Sequence, residues 1–148
     1  MKVALVCSHG GHLTEMQELM SLVEEPEQFY ITYDSPRTRD LPLDAYLLDN
    51  IGTSIPKFAK AFWRMLRIFR DERPDVVIST GSEIAIPAFI IAKLFGITTI
   101  FVESWCRVQN PSGTGKIVYW LSDKFYVQWE SLLDEYGSKA EYKGSIVS

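Results

Sequence analysis

The chain has 148 residues, of which 47% are hydrophobic and 23% are charged, and its formal net charge is −4. This composition is ordinary for a globular protein, and the length is enough for one domain with a hydrophobic core. The negative net charge gives no general indication of nucleic-acid binding, and we expect none. The most apolar segment, residues 84–102, is interrupted by Pro87, Lys93 and Gly96. It therefore falls short of the roughly 18 uninterrupted apolar residues that indicate a membrane-spanning helix.

The two cysteines and the N-terminal residues bear on compartment and metal binding. Cys7 and Cys106 are far apart and lack the spacing of a metal site, and no secretory signal precedes the first apolar run. We therefore expect a reducing, cytoplasmic setting without a disulfide or a metal site. A strict GxGxxG motif is absent, so no dinucleotide cofactor is specifically indicated, and we expect no cofactor.

In chain order, the first half of the sequence predicts alternating strands and helices. An apolar run typical of a strand covered on both faces comes first, and apolar residues at helical spacing follow it. The predicted elements are a strand at 2–8, a helix with apolar positions from Leu13 to Val23, strands at 28–33 and 45–49 with a loop at 35–42 between them, and a helix from a Thr53 or Ser54 cap to about Arg70.

The second half continues the alternation. It predicts a strand at 74–80, a helix at 83–95 ending in a Gly96 C-cap, a strand at 98–104, a loop and helix within 112–122, a strand at 124–128, a short helix at 129–137 and an extended segment at 140–144. Strands that are apolar throughout and alternate with helices predict an α/β fold. We expect a Rossmann-like parallel sheet with helices on both faces, forming a single domain over residues 1–148.

The stretch CSHGGHLTEM, residues 7–16, places two glycines and a histidine between the first strand and the first helix. In open parallel sheets, ligands bind beyond the carboxyl ends of the strands. Gly10 and Gly11 permit a tight turn and close approach to the backbone, and the helix N-terminus can bind an anion. His12 can deprotonate a hydroxyl or hold a phosphate. The simpler interpretation, in which His12 only caps the helix and the glycines only turn the chain, stays open.

Two further corners are expected at the same edge of the sheet. In STGSE, Gly81 and Ser82 can bind a phosphate or a sugar hydroxyl through the backbone, and Glu83 complements the helix dipole. In ESWCRV, Glu103 and Arg107 follow a buried strand and suit a sugar hydroxyl and a phosphate. The alternative for this last pair is an internal ion pair that closes the loop.

The helix predicted at 55–70 has an apolar and a basic face. Its apolar side consists of Ile55, Phe58, Ala59, Phe62, Met65, Leu66 and Phe69, which we expect to pack on the sheet. Its other side carries Lys57, Lys60, Arg64 and Arg67, with Trp63 at the margin. Six of the 15 basic residues lie between Lys57 and Arg73. Such a face is either simply solvated or a contact surface for anionic lipid headgroups.

Five motifs give the sequence a family resemblance. GGHLTEM, STGSEIAIP, VESWCRV, FYVQW and YKGSIV occur in this order along nearly the whole chain. In this respect the sequence resembles the Alg14-type proteins, including the bacterial polysaccharide-biosynthesis subunits of that type. The resemblance implies the N-terminal half of a GT-B glycosyltransferase related to lipid-linked N-acetylglucosaminyltransferases.

The resemblance also implies a partner and a substrate. A separate Alg13-type chain would hold a UDP-sugar such as UDP-GlcNAc, while this chain would bind a polyprenyl-diphosphate-linked sugar and recruit the partner to the membrane. Gly10, Gly11 and His12 would face the acceptor, and the predicted residues of the other two corners would line the rest of the cleft. Eukaryotic members carry an N-terminal anchor, whereas here Met1 leads straight into the first strand, so we expect peripheral attachment at the cytoplasmic face.

The implied reaction is an inverting displacement by an acceptor hydroxyl, with His12 as the first candidate for general base, Glu103 as the second and Glu15 as the third. Two other functions stay open: a non-catalytic module that binds lipid-linked sugar and scaffolds a partner, and a standalone flavodoxin-like protein that binds a nucleotide or FMN. Without its partner, such a domain would expose apolar surface and is expected to self-associate.

Overall fold

The computed structural model describes residues 1–21, 23, 27–41 and 44–145. The strands are β1 (Lys2–Cys7), β2 (Glu27–Tyr33), β3 (Ala45–Leu48), β4 (Val76–Gly81), β5 (Thr98–Val102), β6 (Lys124–Val127) and β7 (Ala140–Tyr142). The α-helices are α1 (Gly11–Met20), α2 (Pro36–Arg39), α3 (Ile55–Glu72), α4 (Ala85–Phe95) and α5 (Gly113–Val118), and 3₁₀-helices span Tyr119–Leu121 and Glu130–Glu135. The strands form one parallel sheet in the order β3-β2-β1-β4-β5-β6-β7, which confirms the predicted Rossmann-like α/β fold.

The central strand β1 shows how the sheet is covered on both faces. Ala4 and Val6 join the core that also contains residues of α3, α4 and α5. Val3, Leu5 and Cys7 join a second core with α1. All five side chains are at most 3% exposed, and their alternation follows the two-residue period of a strand. The apolar run of this strand is therefore explained by helices on both sides.

Helix α3 is capped by Ser54, as predicted, and it packs on the sheet through a slightly different stripe from the predicted one. Ile55 is 82% exposed and Ala59 is also exposed, so the prediction that both pack on the sheet was wrong. Ala61 and Ile68 are buried instead. At about 100° per residue, these two share a stripe with the buried Met65, whereas Ile55 falls on its flank and Ala59 on the far side of the helix.

Other boundaries differ for local reasons. The predicted loop at 35–42 contains α2, because Ser35 and Thr38 form a capping box around Pro36. Helix α1 ends at Met20, so Val23 lies outside it and is exposed. Gly96 is the left-handed C-cap of α4, as predicted. The last two residues of the motif YKGSIV lie outside the described part of the chain.

Among the described residues, none of the helices combines the length and the hydropathy needed to span a membrane.

Candidate functional site

The carboxyl ends of β1, β4 and β5 meet at one edge of the sheet, where the strand order reverses direction between β1 and β4. They border an open cavity of about 700 Å³. Among the predicted site residues, Gly11, His12, Ser82 and Arg107 line this cavity. The three corners singled out in the sequence therefore converge. Gly10, Gly81 and Glu103 are not among the lining residues, and each has a distinct place behind or beside the cavity.

The position of His12 is fixed by β4. Its Nδ1 lies 3.0 Å from the carbonyl oxygen of Thr80, and the Thr80 hydroxyl donates a hydrogen bond of 2.6 Å to the carbonyl of His12. A carbonyl oxygen can only accept, so Nδ1 carries the proton, and in the neutral ring Nε2 keeps its lone pair. This tautomer makes Nε2 the basic nitrogen. His12 lies in the first turn of α1 rather than at its N-cap, which is Gly10.

Gly81 supports the imidazole directly. It has a φ of +131°, and a Cβ at this position would lie 2.6 Å from Cε1 and 2.7 Å from Nδ1 of His12. Only glycine combines this backbone conformation with so close an approach. Gly81 is therefore required by the seating of His12. In contrast, a Cβ at Gly10 or Gly11 would meet nothing within 4 Å, so those two glycines leave open space over the start of α1.

The second corner continues into a strained residue. Ser82 has a φ of +79°, a conformation that costs a non-glycine residue about 1–3 kcal/mol and that concentrates at functional sites. Its hydroxyl donates to Glu83, which also accepts from Tyr33 and from the N–H of Gly52. Partial burial disfavours the Glu83 carboxylate, but these hydrogen bonds and the one from its own N–H outweigh burial and lower its pKa.

Glu15 connects α1 to the loop after β5. Its buried carboxylate accepts hydrogen bonds from the Trp105 N–H, the Ser104 hydroxyl and the Gln128 amide. Its second oxygen lies 3.8 Å from Nδ1 of His12. Burial raises the pKa of Glu15, against the opposing effect of the hydrogen bond from the Trp105 N–H. Glu15 thus joins the His12 corner to the third corner.

Glu103 is sealed inside the third corner and is only 1% exposed. Its carboxylate accepts from the Ser104 N–H at 3.0 Å, from the N–H and hydroxyl of Ser112, and from the Tyr136 hydroxyl. Burial and the neighbouring Glu103 carboxylate raise the pKa of Tyr136. This arrangement ties the loop to the N-terminus of α5.

One arginine lines the cavity, and a second is bonded to the start of α1. Arg107 is exposed on its wall, and within the described part of the chain it forms no ion pair with Glu103. The alternative of an internal ion pair at this corner was therefore wrong. Arg37, which the sequence analysis missed, donates to the Gly10 carbonyl at 3.2 Å and to the Thr14 hydroxyl at 2.9 Å. Its only sequence signal was its position after the second strand.

The basic side of α3 is solvent-exposed, as predicted for Lys57, Lys60, Trp63, Arg64 and Arg67. Two of the cations are partly engaged within the chain. Lys60 lies 3.7 Å from the Asp49 carboxylate, and Arg64 donates to the carbonyl of Leu47 at 2.7 Å. Trp63 is 64% exposed. Among the residues that the structure describes, the side chains of Lys57 and Arg67 have no ion-pair partner, and they lie on the same helix as the exposed tryptophan.

The described residues contain no cluster of three or more His, Cys, Asp or Glu side chains that could hold a metal ion.

Comparison with known proteins places this geometry in a family. The family model for "Oligosaccharide biosynthesis protein Alg14 like" matches residues 34–146. The chain is 28% identical over 181 residues to the human UDP-N-acetylglucosamine transferase subunit ALG14, covering 99% of this chain and 83% of the human protein. It is 35% identical over 133 residues to the Mus musculus protein of the same name, covering 86% of this chain and 57% of the mouse protein.

A solved structure shows the same fold. The crystal structure of Acinetobacter baumannii MurG superposes with a TM-score of 0.78 at 15% sequence identity. The match covers 96% of this chain but only 45% of the MurG chain, so this chain corresponds to somewhat less than half of that protein. The family model covers most of the chain, including two of the three corners that form the cavity. The chain therefore belongs to the Alg14-like family of oligosaccharide biosynthesis proteins.

Proposed function

We propose that this chain is the acceptor-side domain, spanning residues 1–148, of a two-component inverting GT-B glycosyltransferase. An Alg13-type partner binds the UDP-sugar, and this chain binds a polyprenyl-diphosphate-linked sugar. Family membership and the relatives' printed name, a subunit of a UDP-N-acetylglucosamine transferase, support a glycosyltransferase subunit. The observation that carries the proposal is the cavity in which His12 presents a basic Nε2 beside an open helix N-terminus.

His12 acts as the general base. Its Nε2 takes the proton of the acceptor hydroxyl while that oxygen forms a bond to the anomeric carbon of the donor sugar. The bond between this carbon and the UDP oxygen breaks, and UDP leaves with the electron pair, so the configuration at the carbon inverts. The hydrogen bond from Nδ1 to Thr80 holds the imidazole in the required tautomer. A positioned base of this kind contributes a factor of about 10²–10⁴ to the rate.

Glu103 and Glu15 are better suited to positioning than to proton transfer. The Glu103 carboxylate is buried and accepts hydrogen bonds from several donors. It is therefore better suited to anchoring the loop than to acting as the general base. Glu15 holds Trp105 and Ser104 in place and lies beside Nδ1 of His12, away from the basic nitrogen. Both carboxylates therefore support His12 and its surroundings.

The acceptor diphosphate binds where positive charge and free N–H groups coincide. The first turn of α1 presents N–H groups without a side-chain cap, and Gly10 and Gly11 leave the space above it open. The Arg107 guanidinium, which lines the same cavity, adds positive charge for the anion. Ser82 offers a hydroxyl and a strained backbone for the sugar.

Attachment to the membrane is peripheral and occurs at the cytoplasmic face. The exposed cations of α3 attract anionic headgroups, and Trp63 enters the interfacial region. Away from its partner, the chain self-associates through exposed apolar side chains such as Leu94 and Phe95, which are 70% and 43% exposed.

Reconstitution tests the proposal. Transfer of radiolabelled sugar from UDP-GlcNAc to a lipid-diphosphate sugar is measured with this chain alone, with an Alg13-type chain alone and with the mixture. We expect transfer only in the mixture. Acceptor binding without any transfer in the mixture would instead support the scaffold module, and transfer by this chain alone would refute the split enzyme. A flavin or nucleotide copurifying with the chain would support the flavodoxin-like alternative.

A further inference from the structure

Trp105 is an exposed aromatic residue whose main chain is held on both sides. It lines the cavity beside His12 and is 38% exposed. Its N–H donates to the buried Glu15 carboxylate, and its carbonyl accepts a hydrogen bond of 2.6 Å from the Trp129 indole. A main chain fixed in this way before the ligand arrives needs no reordering on binding.

The indole is supported from the side. The rings of Trp105 and Trp129 are 5.8 Å apart and tilted by 41°. Within the described residues, the Trp105 indole N–H has no hydrogen-bond partner, so both an aromatic surface and a donor are available to a ligand. Such a side chain suits a ligand that has an apolar face and a polar rim.

The surrounding side chains indicate which ligand this is. The hydroxyl side chains of Thr14, Ser82 and Thr114 line the same cavity, and Arg107 lies on its wall. An isoprenoid chain would remove the Arg107 guanidinium and the Trp105 indole N–H from water without offering either group a hydrogen bond, which is unfavourable. A pyranose ring has C–H groups on its faces and hydroxyls around its rim, so it matches both sets of groups. We infer that Trp105 is the platform on which the sugar ring of the acceptor stacks; this inference rests on the proposed acceptor-binding function.

Calorimetric titration tests the inference with two kinds of probe. One is a soluble ten-carbon prenyl diphosphate carrying a single glucose or N-acetylglucosamine, and the other is the same prenyl diphosphate without a sugar. Of the two glycosylated probes, the one that binds the wild-type chain more tightly is used for comparison. We expect Trp105→Leu to weaken its binding about tenfold and to leave binding of the bare prenyl diphosphate unchanged. Trp105→Phe keeps an aromatic face, and we expect its affinity to stay within about threefold of wild type.

Trp120→Leu is the matched control, since Trp120 is 77% exposed and does not line the cavity. Circular dichroism and thermal melting establish that each variant is folded. If the leucine variant is not folded, Trp105→Met, which also removes the aromatic face and is expected to show the same tenfold loss, decides the matter. Wild-type affinity of Trp105→Leu for the glycosylated probe, or an equal loss for both probes, would overturn the inference while leaving acceptor binding intact. Failure of the wild-type chain to bind any probe would overturn the proposed function as well.

Discussion

Replacement of Gly81 by alanine tests whether the backbone of β4 seats the imidazole of His12. The new Cβ would lie 2.6 Å from Cε1 of His12, whereas carbon atoms pack at about 3.5–4.0 Å. The ring must therefore retreat by about 1 Å, and a misplacement of that size costs about 100-fold in rate. The φ of +131° adds backbone strain of about 1–3 kcal/mol. We expect Gly81→Ala to lose both stability and activity.

Gly96→Ala separates the two effects. Gly96 also has a positive φ, +70°, but a Cβ there would meet nothing within 4 Å, and this residue caps α4 away from the cavity. We expect this control to lose about 1–2 kcal/mol of stability. Its activity in the reconstituted transferase should equal that of the wild type. Because the chain has 2 histidines, NMR of the imidazole Cε1–H groups resolves His12 directly. An unmoved His12 signal in Gly81→Ala, or equal activity in the two variants, would refute the reasoning.

The remaining predictions concern Glu15, α3 and Asp123. Glu15→Ala leaves the part-buried Trp105 N–H without its acceptor and should lower the free energy of unfolding in urea by about 1–3 kcal/mol; Glu15→Gln, which keeps an acceptor oxygen, should lose less. Replacing both Lys57 and Arg67 by glutamine should weaken binding to anionic vesicles about 30-fold in a co-sedimentation assay, at about 1 kcal/mol per cation. Partial burial opposes the Asp123 charge, but hydrogen bonds from the Thr99 N–H and Lys93 lower its pKa below 3.8. Its contribution to stability is therefore present above pH 3.8 and disappears as the pH falls through the folded-state pKa, so the stability difference between wild type and Asp123→Asn should shrink in acid.

Each of these predictions has a specific contradiction. Equal destabilisation by Glu15→Ala and Glu15→Gln would show that the hydrogen bond to the loop is unimportant. For the vesicle experiment, the matched control replaces Lys124 and Lys143, on the other half of the sheet, by glutamine. An equal loss of vesicle binding in this control would show that only the net charge of the chain matters. A stability difference for Asp123→Asn that stays constant from pH 7 to pH 3 would contradict the lowered pKa.

The fold could be predicted because the buried strands are apolar runs and the longer crossovers have a helical period. α2 was missed because Ser35, Pro36 and Thr38 have the composition of a loop, although they form a capping box. The burial of Ala61 in place of Ala59 depends on how α3 is rotated against the sheet, and a periodic pattern alone leaves that rotation uncertain by about one residue.

The site was only partly predictable for a related reason. The convergence of three corners follows from strand order, which the alternation of elements implies. Glu103 is buried inside its loop, whereas Glu15 joins α1 to the loop after β5. These positions depend on contacts between residues that are distant in sequence, such as Glu15 with Trp105 and Glu103 with Tyr136. The Gly81 backbone was predicted to bind a ligand, but in the structure Gly81 lies against the imidazole of His12. Residue spacing along one chain carries no information about such pairings.

The rate of sugar transfer by His12→Ala, combined with an Alg13-type chain, tests the central claim most directly. His9→Ala is its matched control, since His9 is exposed and does not line the cavity. The account predicts a fall of about 10²–10⁴ for His12→Ala at unchanged stability and wild-type turnover for His9→Ala. Wild-type turnover by His12→Ala would contradict it.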